Sequence, residues 1–158
     1  MSVTVRRALP EDAEAVIALI EGLLEYEHIG PMAPGSHERI AAEMAAPEPR
    51  LTAFVAESDG AIVGYSIVYE TYSTLWGQPR LFIEDIFVLP EHRSTGAGFA
   101  LFRAVTRHAL DRGCTQMHWE ALTWNKLAID FYERLGAKRD EGWYTYRLGE
   151  EGMRKLVS

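Results

Sequence analysis

Leu81-Phe82-Ile83-Glu84-Asp85-Ile86-Phe87-Val88, then Leu89-Pro90-Glu91-His92, then Arg93-Ser94-Thr95-Gly96-Ala97-Gly98-Phe99, is the stretch that decides the fold. Leu81 to Val88 does not alternate polar and apolar residues. Apolar side chains on both faces predict a strand covered on both sides. Glu84 and Asp85 interrupt it, and consecutive strand residues normally point to opposite faces. A charge inside such a strand is costly unless it is paired or faces a wet cleft. Two readings follow from the residues alone. Either a bulge or strand end leaves both acids exposed, or the pair belongs to a functional site.

The following loop runs directly into a helical pattern. Glycines at a strand-to-helix turn let backbone N–H groups converge on an anion, and the helix dipole adds to the attraction. A phosphate or pyrophosphate is the expected ligand, with Arg93 as a nearby positive charge. No Gly-Lys-Ser/Thr follows, so this is not a Walker loop, and Phe99-Ala100-Leu101 lacks the third glycine of a dinucleotide fingerprint. The bland alternative is a helix start with close packing.

Outward from this stretch, the chain reads as one mixed α/β domain over residues 1–158. Val3 to Arg6 alternates as a short strand, and Pro10-Glu11-Asp12 reads as a helix start. Val16, Ile17, Ile20, Leu23 and Leu24 recur at helical spacing and predict one buried stripe. Pro31, Pro34 and the glycines from Gly30 to Gly35 break that helix, and a weaker one is expected from Ser36 to Ala46. Leu51 to Glu57 and Ala61 to Tyr72 are strands, joined by a hairpin turn at Ser58-Asp59-Gly60. After the central stretch, a helix is predicted from Gly96 to Arg112, stopped by Gly113. A strand from Thr115 to Leu122, a helix from Lys126 to Leu135 and a last strand from Trp143 to Leu148 complete the pattern.

The 158 residues carry a formal net charge of −7, which argues against a nucleic-acid surface. The N-terminal residues resemble no signal peptide and no apolar run spans a bilayer, so a cytoplasmic protein without a membrane partner is expected. A single cysteine, Cys114, allows no Cys-rich zinc site, and the histidines show no metal spacing, so no metal is expected.

The loop from Arg93 to Gly98 resembles the coenzyme A loop, Arg/Gln-x-x-Gly-x-Gly/Ala, of the GNAT superfamily of N-acetyltransferases. A second family block, Asn-x-x-Ala-x-x-Phe-Tyr-x-x-x-Gly, is matched by Asn125, Ala128, Phe131, Tyr132 and Gly136. Within that superfamily the chain is most similar to the diamine (spermidine/spermine) and thialysine acetyltransferases. The residues carrying that likeness are Tyr26-Glu27, Thr71-Tyr72, Trp76-Gly77, Phe82 to Asp85, Trp124-Asn125 and Glu141-Gly142-Trp143.

The resemblance implies the acyl-CoA N-acyltransferase fold, a central twisted mixed sheet flanked by helices. It implies acetyl-CoA as cosubstrate, a small cationic amine as acceptor and a homodimer. Tyr26, Glu27, Trp76, Glu84, Asp85, Glu141, Gly142 and Trp143 would line the amine site. Ile86, Phe87 and Val88 would hold the pantetheine arm. Arg93, Ser94, Thr95, Gly96, Ala97, Gly98 and Phe99 would hold the pyrophosphate, helped by Asn125, Lys126 and Ala128. Tyr132 would touch the cofactor and act as general acid. Ser94 departs from the family habit of a glycine at that position.

The chemistry gives these groups tasks. An alkyl amine with a pKa near 10.4 must lose a proton before it attacks, at a cost of about 4 to 5 kcal/mol at pH 7. Glu84, or a water it orders, is the candidate base, and Asp85 would attract the cation. Two adjacent acids facing one cleft would disfavour each other's ionisation. A tyrosine at position 132 is protonated at neutral pH and can donate to a departing thiolate. An acetyl-cysteine on Cys114 is the covalent alternative, although its place after Gly113 better suits a small buried residue. Two other readings stay open: a GNAT enzyme for a different amine (a protein N-terminus or an aminoglycoside), and an acyl-CoA-binding domain without catalysis.

Overall fold

Asp59 and Gly60 stand at φ 51° and 80°, the left-handed pair that a tight two-residue hairpin demands. They join strands β2 (Thr52–Ser58) and β3 (Ala61–Ser73) of the computed structural model, which describes residues 2–158. β1 (Val3–Arg7) pairs antiparallel with β2, and β4 (Gln78–Val88) pairs antiparallel with β3. β5 (Met117–Trp119) pairs parallel with β4, giving a mixed five-stranded sheet in the order β1-β2-β3-β4-β5. The expected mixed sheet with flanking helices is present.

The chain divides into two compact units, Met1–Glu120 and Ala121–Ser158. In the first, helix α1 (Ala13–Tyr26) packs Val16, Leu19, Ile20 and Leu23 against Ala53, Val55, Tyr65, Ile67 and Phe87. These sheet residues recur at a period of two, so they define one face. Helix α3 (Ala97–Asp111) covers the other, burying Leu101, Phe102, Val105 and Ala109. Helix α2 (Ser36–Ala45) packs beside α1. Gly64 on β3 marks how tightly the second face closes. A Cβ there would lie 2.9 Å from the Phe87 carbonyl oxygen and 3.2 Å from Leu101 Cδ1.

The second unit holds helices α4 (Lys126–Arg134) and α5 (Glu150–Leu156). Two sequence expectations are corrected here. The strand expected from Trp143 to Leu148 does not form. Its aromatic alternation suits a strand, but the segment has no regular secondary structure, and Trp143 and Tyr144 are 84% and 88% exposed. The strand expected from Thr115 to Leu122 shrinks to β5, because β4 accepts it only from Leu81 to Ile83. Helix α5 was not expected from the sequence. Ion pairs from Glu150 to Arg154 and from Glu151 to Lys155, each one turn apart, support it. No helix among the described residues is long and apolar enough to cross a membrane.

Candidate active site

The two acids of β4 sit at a break in the sheet register. Ile67 lies opposite Asp85 and the next residue, Val68, lies opposite Ile83, so Glu84 is the extra residue of a β-bulge. In a regular strand Glu84 and Asp85 would point to opposite faces. The bulge removes that alternation. Asp85 shares the α1 face with its partner Ile67, and Glu84 accepts a hydrogen bond of 2.9 Å from the hydroxyl of Tyr69, which has the same phase along β3 as Tyr65 and Ile67. Both carboxylates therefore come to one side. The bulge and the shared site, which the sequence left as alternatives, are the same feature.

Asp85 is half-buried, and its carboxyl is pushed up to about 6. Burial is the largest cause, the negative charges of Glu84 and Glu27 add to it, and the Tyr65 hydroxyl works in the opposite direction. The mutual repulsion expected of the pair is present but is secondary to burial. Glu27, at the C-terminal end of α1, is half-buried, and burial raises its carboxyl as well. Tyr69 is pushed up to about 12, by burial and then by its bond to Glu84, so it stays a donor throughout the neutral range. Three acids and two buried or half-buried phenols thus meet on one face of the first unit. That is a surface for a cation.

Beside them β4 changes its neighbours. β5 pairs with β4 only as far as Ile83, so from Glu84 to Val88 no described strand bonds to that side of β4. Apart from the Val88 carbonyl, which accepts from Arg93, backbone groups of Ile86 to Val88 on this side are available to an extended polar arm or, through their N–H groups, to an oxyanion. The loop then leaves the sheet. Ser94 stands at φ 64° and Gly96, the residue preceding α3, at φ 88°. These left-handed residues turn the chain into the helix, whose first free N–H groups belong to Ala97, Gly98 and Phe99. A serine in this conformation is strained by about 1 to 2 kcal/mol relative to ordinary backbone, which is why glycine suits the position. The Thr95 hydroxyl donates to the His92 carbonyl at 2.6 Å and braces the turn. These donors fit a pyrophosphate.

Arg93 lies between the end of α1 and the end of β4. Its guanidinium carbon lies 4.6 Å from the centre of the Tyr26 ring and 5.6 Å from that of Phe87, and Nε donates to the Val88 carbonyl at 3.1 Å. It ties the end of α1 to the end of β4. Trp76 stands in the β3–β4 turn, 61% exposed. Its neighbour Ser73 is paired six residues along β3 from Ile67, about 20 Å from the acids at the usual strand rise. Cys114 is buried, and burial pushes its thiol up, which disfavours the thiolate that a covalent route needs.

In the second unit, Asn125 caps α4, its side-chain oxygen accepting from the Ala128 N–H at 3.3 Å. Lys126 pairs with Asp130 at 2.6 Å. Tyr132 is half-buried with its ring 5.7 Å from that of Phe131. Glu141, Gly142 and Trp143 are exposed and lie outside any regular element. Sequence reasoning missed Tyr65. It sits in the apolar run of β3, and its only signal is a phase shared with Asp85, legible once the register is known.

The acetyltransferase (GNAT) family matches residues 18–137. Thialysine N-epsilon-acetyltransferase of Sus scrofa is 36% identical over 99% of this chain and 98% of its own length. Aminoglycoside N(6')-acetyltransferase type 1 of Salmonella typhimurium is 31% identical over 61% of this chain and 69% of its own length. Among solved structures, AAC(6')-Iy in complex with the bisubstrate analogue CoA-S-monomethyl-acetylneamine shares the fold, with a TM-score of 0.78, 24% identity and coverage of 94% of this chain and 99% of that one. With a family match over most of its length and a relative similar from end to end, the chain belongs to the GNAT family of acetyltransferases.

Proposed function

We propose that this acetyltransferase moves the acetyl group of acetyl-CoA to a primary amine of a small cationic substrate, a diamine, polyamine or thialysine-like molecule. The observation that carries this reading is the bulge at Glu84, which turns Glu84 and Asp85 to the side where Glu27 also stands. Acids held together despite mutual repulsion are costly, and a bound cation relieves that cost. The likeness to thialysine acetyltransferases over the whole chain points the same way. Both units belong to one N-acetyltransferase domain on this reading, since the family match runs across their boundary.

The reaction is direct attack in a ternary complex. Acetyl-CoA supplies the activated acyl carbon. Asp85 and Glu27 hold the ammonium groups, and Glu84, or a water it orders, accepts the proton of the attacking nitrogen. Backbone groups of Ile86 to Val88 face the developing oxyanion, the turn from Ser94 to Phe99 receives the pyrophosphate, and Tyr132 donates to the leaving thiolate. The protein acts as a cytoplasmic homodimer. An aminoglycoside acceptor is the second reading, favoured by the partial likeness to the Salmonella enzyme.

Steady-state acetyl transfer across diamines, polyamines, thialysine, peptides and aminoglycosides tests this. Diamines or thialysine should give a kcat/KM at least ten-fold above the other classes. No turnover with any amine, alongside tight coenzyme A binding, would sink the enzymatic reading.

A further inference from the structure

Tyr65 is fully buried in the middle of the sheet, and its hydroxyl makes no hydrogen bond of normal geometry to any described residue. A buried hydroxyl left without a partner is destabilising relative to a phenylalanine at the same place. The register shows what lies near it. Tyr65 is opposite Phe87 and Ile67 is opposite Asp85, so Tyr65 and Asp85 are diagonal neighbours on the α1 face. Its ring belongs to the buried core cluster that α1 and the sheet form with Val16, Leu19, Ile20 and Leu23 on one side and Val55, Ile67 and Phe87 on the other.

We propose that Tyr65 is a positioning residue for acetyl transfer, its unpartnered buried hydroxyl orienting the carboxylate of its diagonal neighbour Asp85. The proposal rests on reading Glu27, Glu84 and Asp85 as the amine site. The groups around Asp85 are Glu27 from α1, Tyr65 and Tyr69 from β3, and Glu84 beside it on β4; Arg93, from the following loop, stacks on the nearby Tyr26 and Phe87 rings. Every other titratable neighbour that acts on Asp85 is an acid and holds its proton on. Tyr65 alone among those neighbours favours release. It lets one carboxylate stay charged beside two others near neutral pH, where a cation must be caught.

Tyr65→Phe removes the hydroxyl and keeps the ring. The Asp85 carboxyl, followed by carbon NMR on aspartate-labelled protein without substrate, should then titrate about one pH unit higher. In the same variant, the kcat/KM ratio to wild type should fall about five-fold between pH 8.5 and pH 6, as fewer molecules carry the charge. Incorporating 3-fluorotyrosine at position 65, a stronger donor of the same shape, should move the carboxyl titration the other way. A purely structural tyrosine would move neither. An Asp85 titration unchanged by fluorotyrosine, or by Tyr65→Phe in folded protein, overturns the proposal. The titration needs no substrate, so its outcome is separate from whether any amine is acetylated.

Discussion

Asp85 holds its proton up to about pH 6, against an ordinary value of 3.8, because burial and two neighbouring acids disfavour its charge. A carboxyl raised in the folded state adds no penalty below its unfolded value, where both states are protonated. Its stabilising protonated form is lost as pH rises through the folded value. Asp85→Asn should therefore leave stability unchanged near pH 3 and raise it by about 1 to 3 kcal/mol at pH 8, measured by urea unfolding at both values. The same variant should lose acetyl transfer. An equal change in stability at the two pH values would show that the acid is not held at a cost. Strain of this kind is characteristic of a binding site, where the ligand rather than the fold relieves it.

At the scale of elements, the hairpin of β3 and β4 does most of the work, and Gly64 lets it do so. Adding a methyl group there would press on the backbone of Phe87, which cannot swing away as a flexible chain end would, and crowd the Leu101 side chain of α3. Gly64→Ala should destabilise the chain by about 1 to 3 kcal/mol in denaturant unfolding. It should also raise KM for acetyl-CoA, since Phe87 and Val88 form the segment proposed to meet the pantetheine arm. Wild-type stability would refute so close an approach. Element positions were largely legible. The apolar stripe of α1 and the Asp59-Gly60 turn stand where their spacing put them, because each depends on contacts a few residues apart. The segment from Trp143 to Leu148 failed because a strand needs a neighbour as well as a pattern.

For the whole molecule, the net charge of −7 gains meaning only beside the acid cluster. A general excess of acids keeps a protein soluble and says little about ligands. With Glu27, Glu84 and Asp85 on one face of the first unit, the same charge should steer polycations toward the site. The kcat/KM for a doubly charged amine should fall by about ten-fold between 10 mM and 300 mM salt, as the screening length shrinks below the width of the cluster. A neutral or singly charged amine should change far less. A flat response for the dication would assign the charge to solubility alone.

By itself the sequence determined the class of fold, the glycine turn entering a helix, and the presence of two acids in a strand otherwise apolar. These follow from period, punctuation and composition, which are properties of neighbours along the chain. Only the tertiary structure decided that Glu84 and Asp85 share a side, that Arg93 packs on Tyr26 and Phe87, and that Tyr65 and Asp85 are diagonal neighbours on one face. Each depends on register, and a shift of one residue in pairing turns side chains to the other face. The bulge is such a shift, made once, at the position where the acids stand.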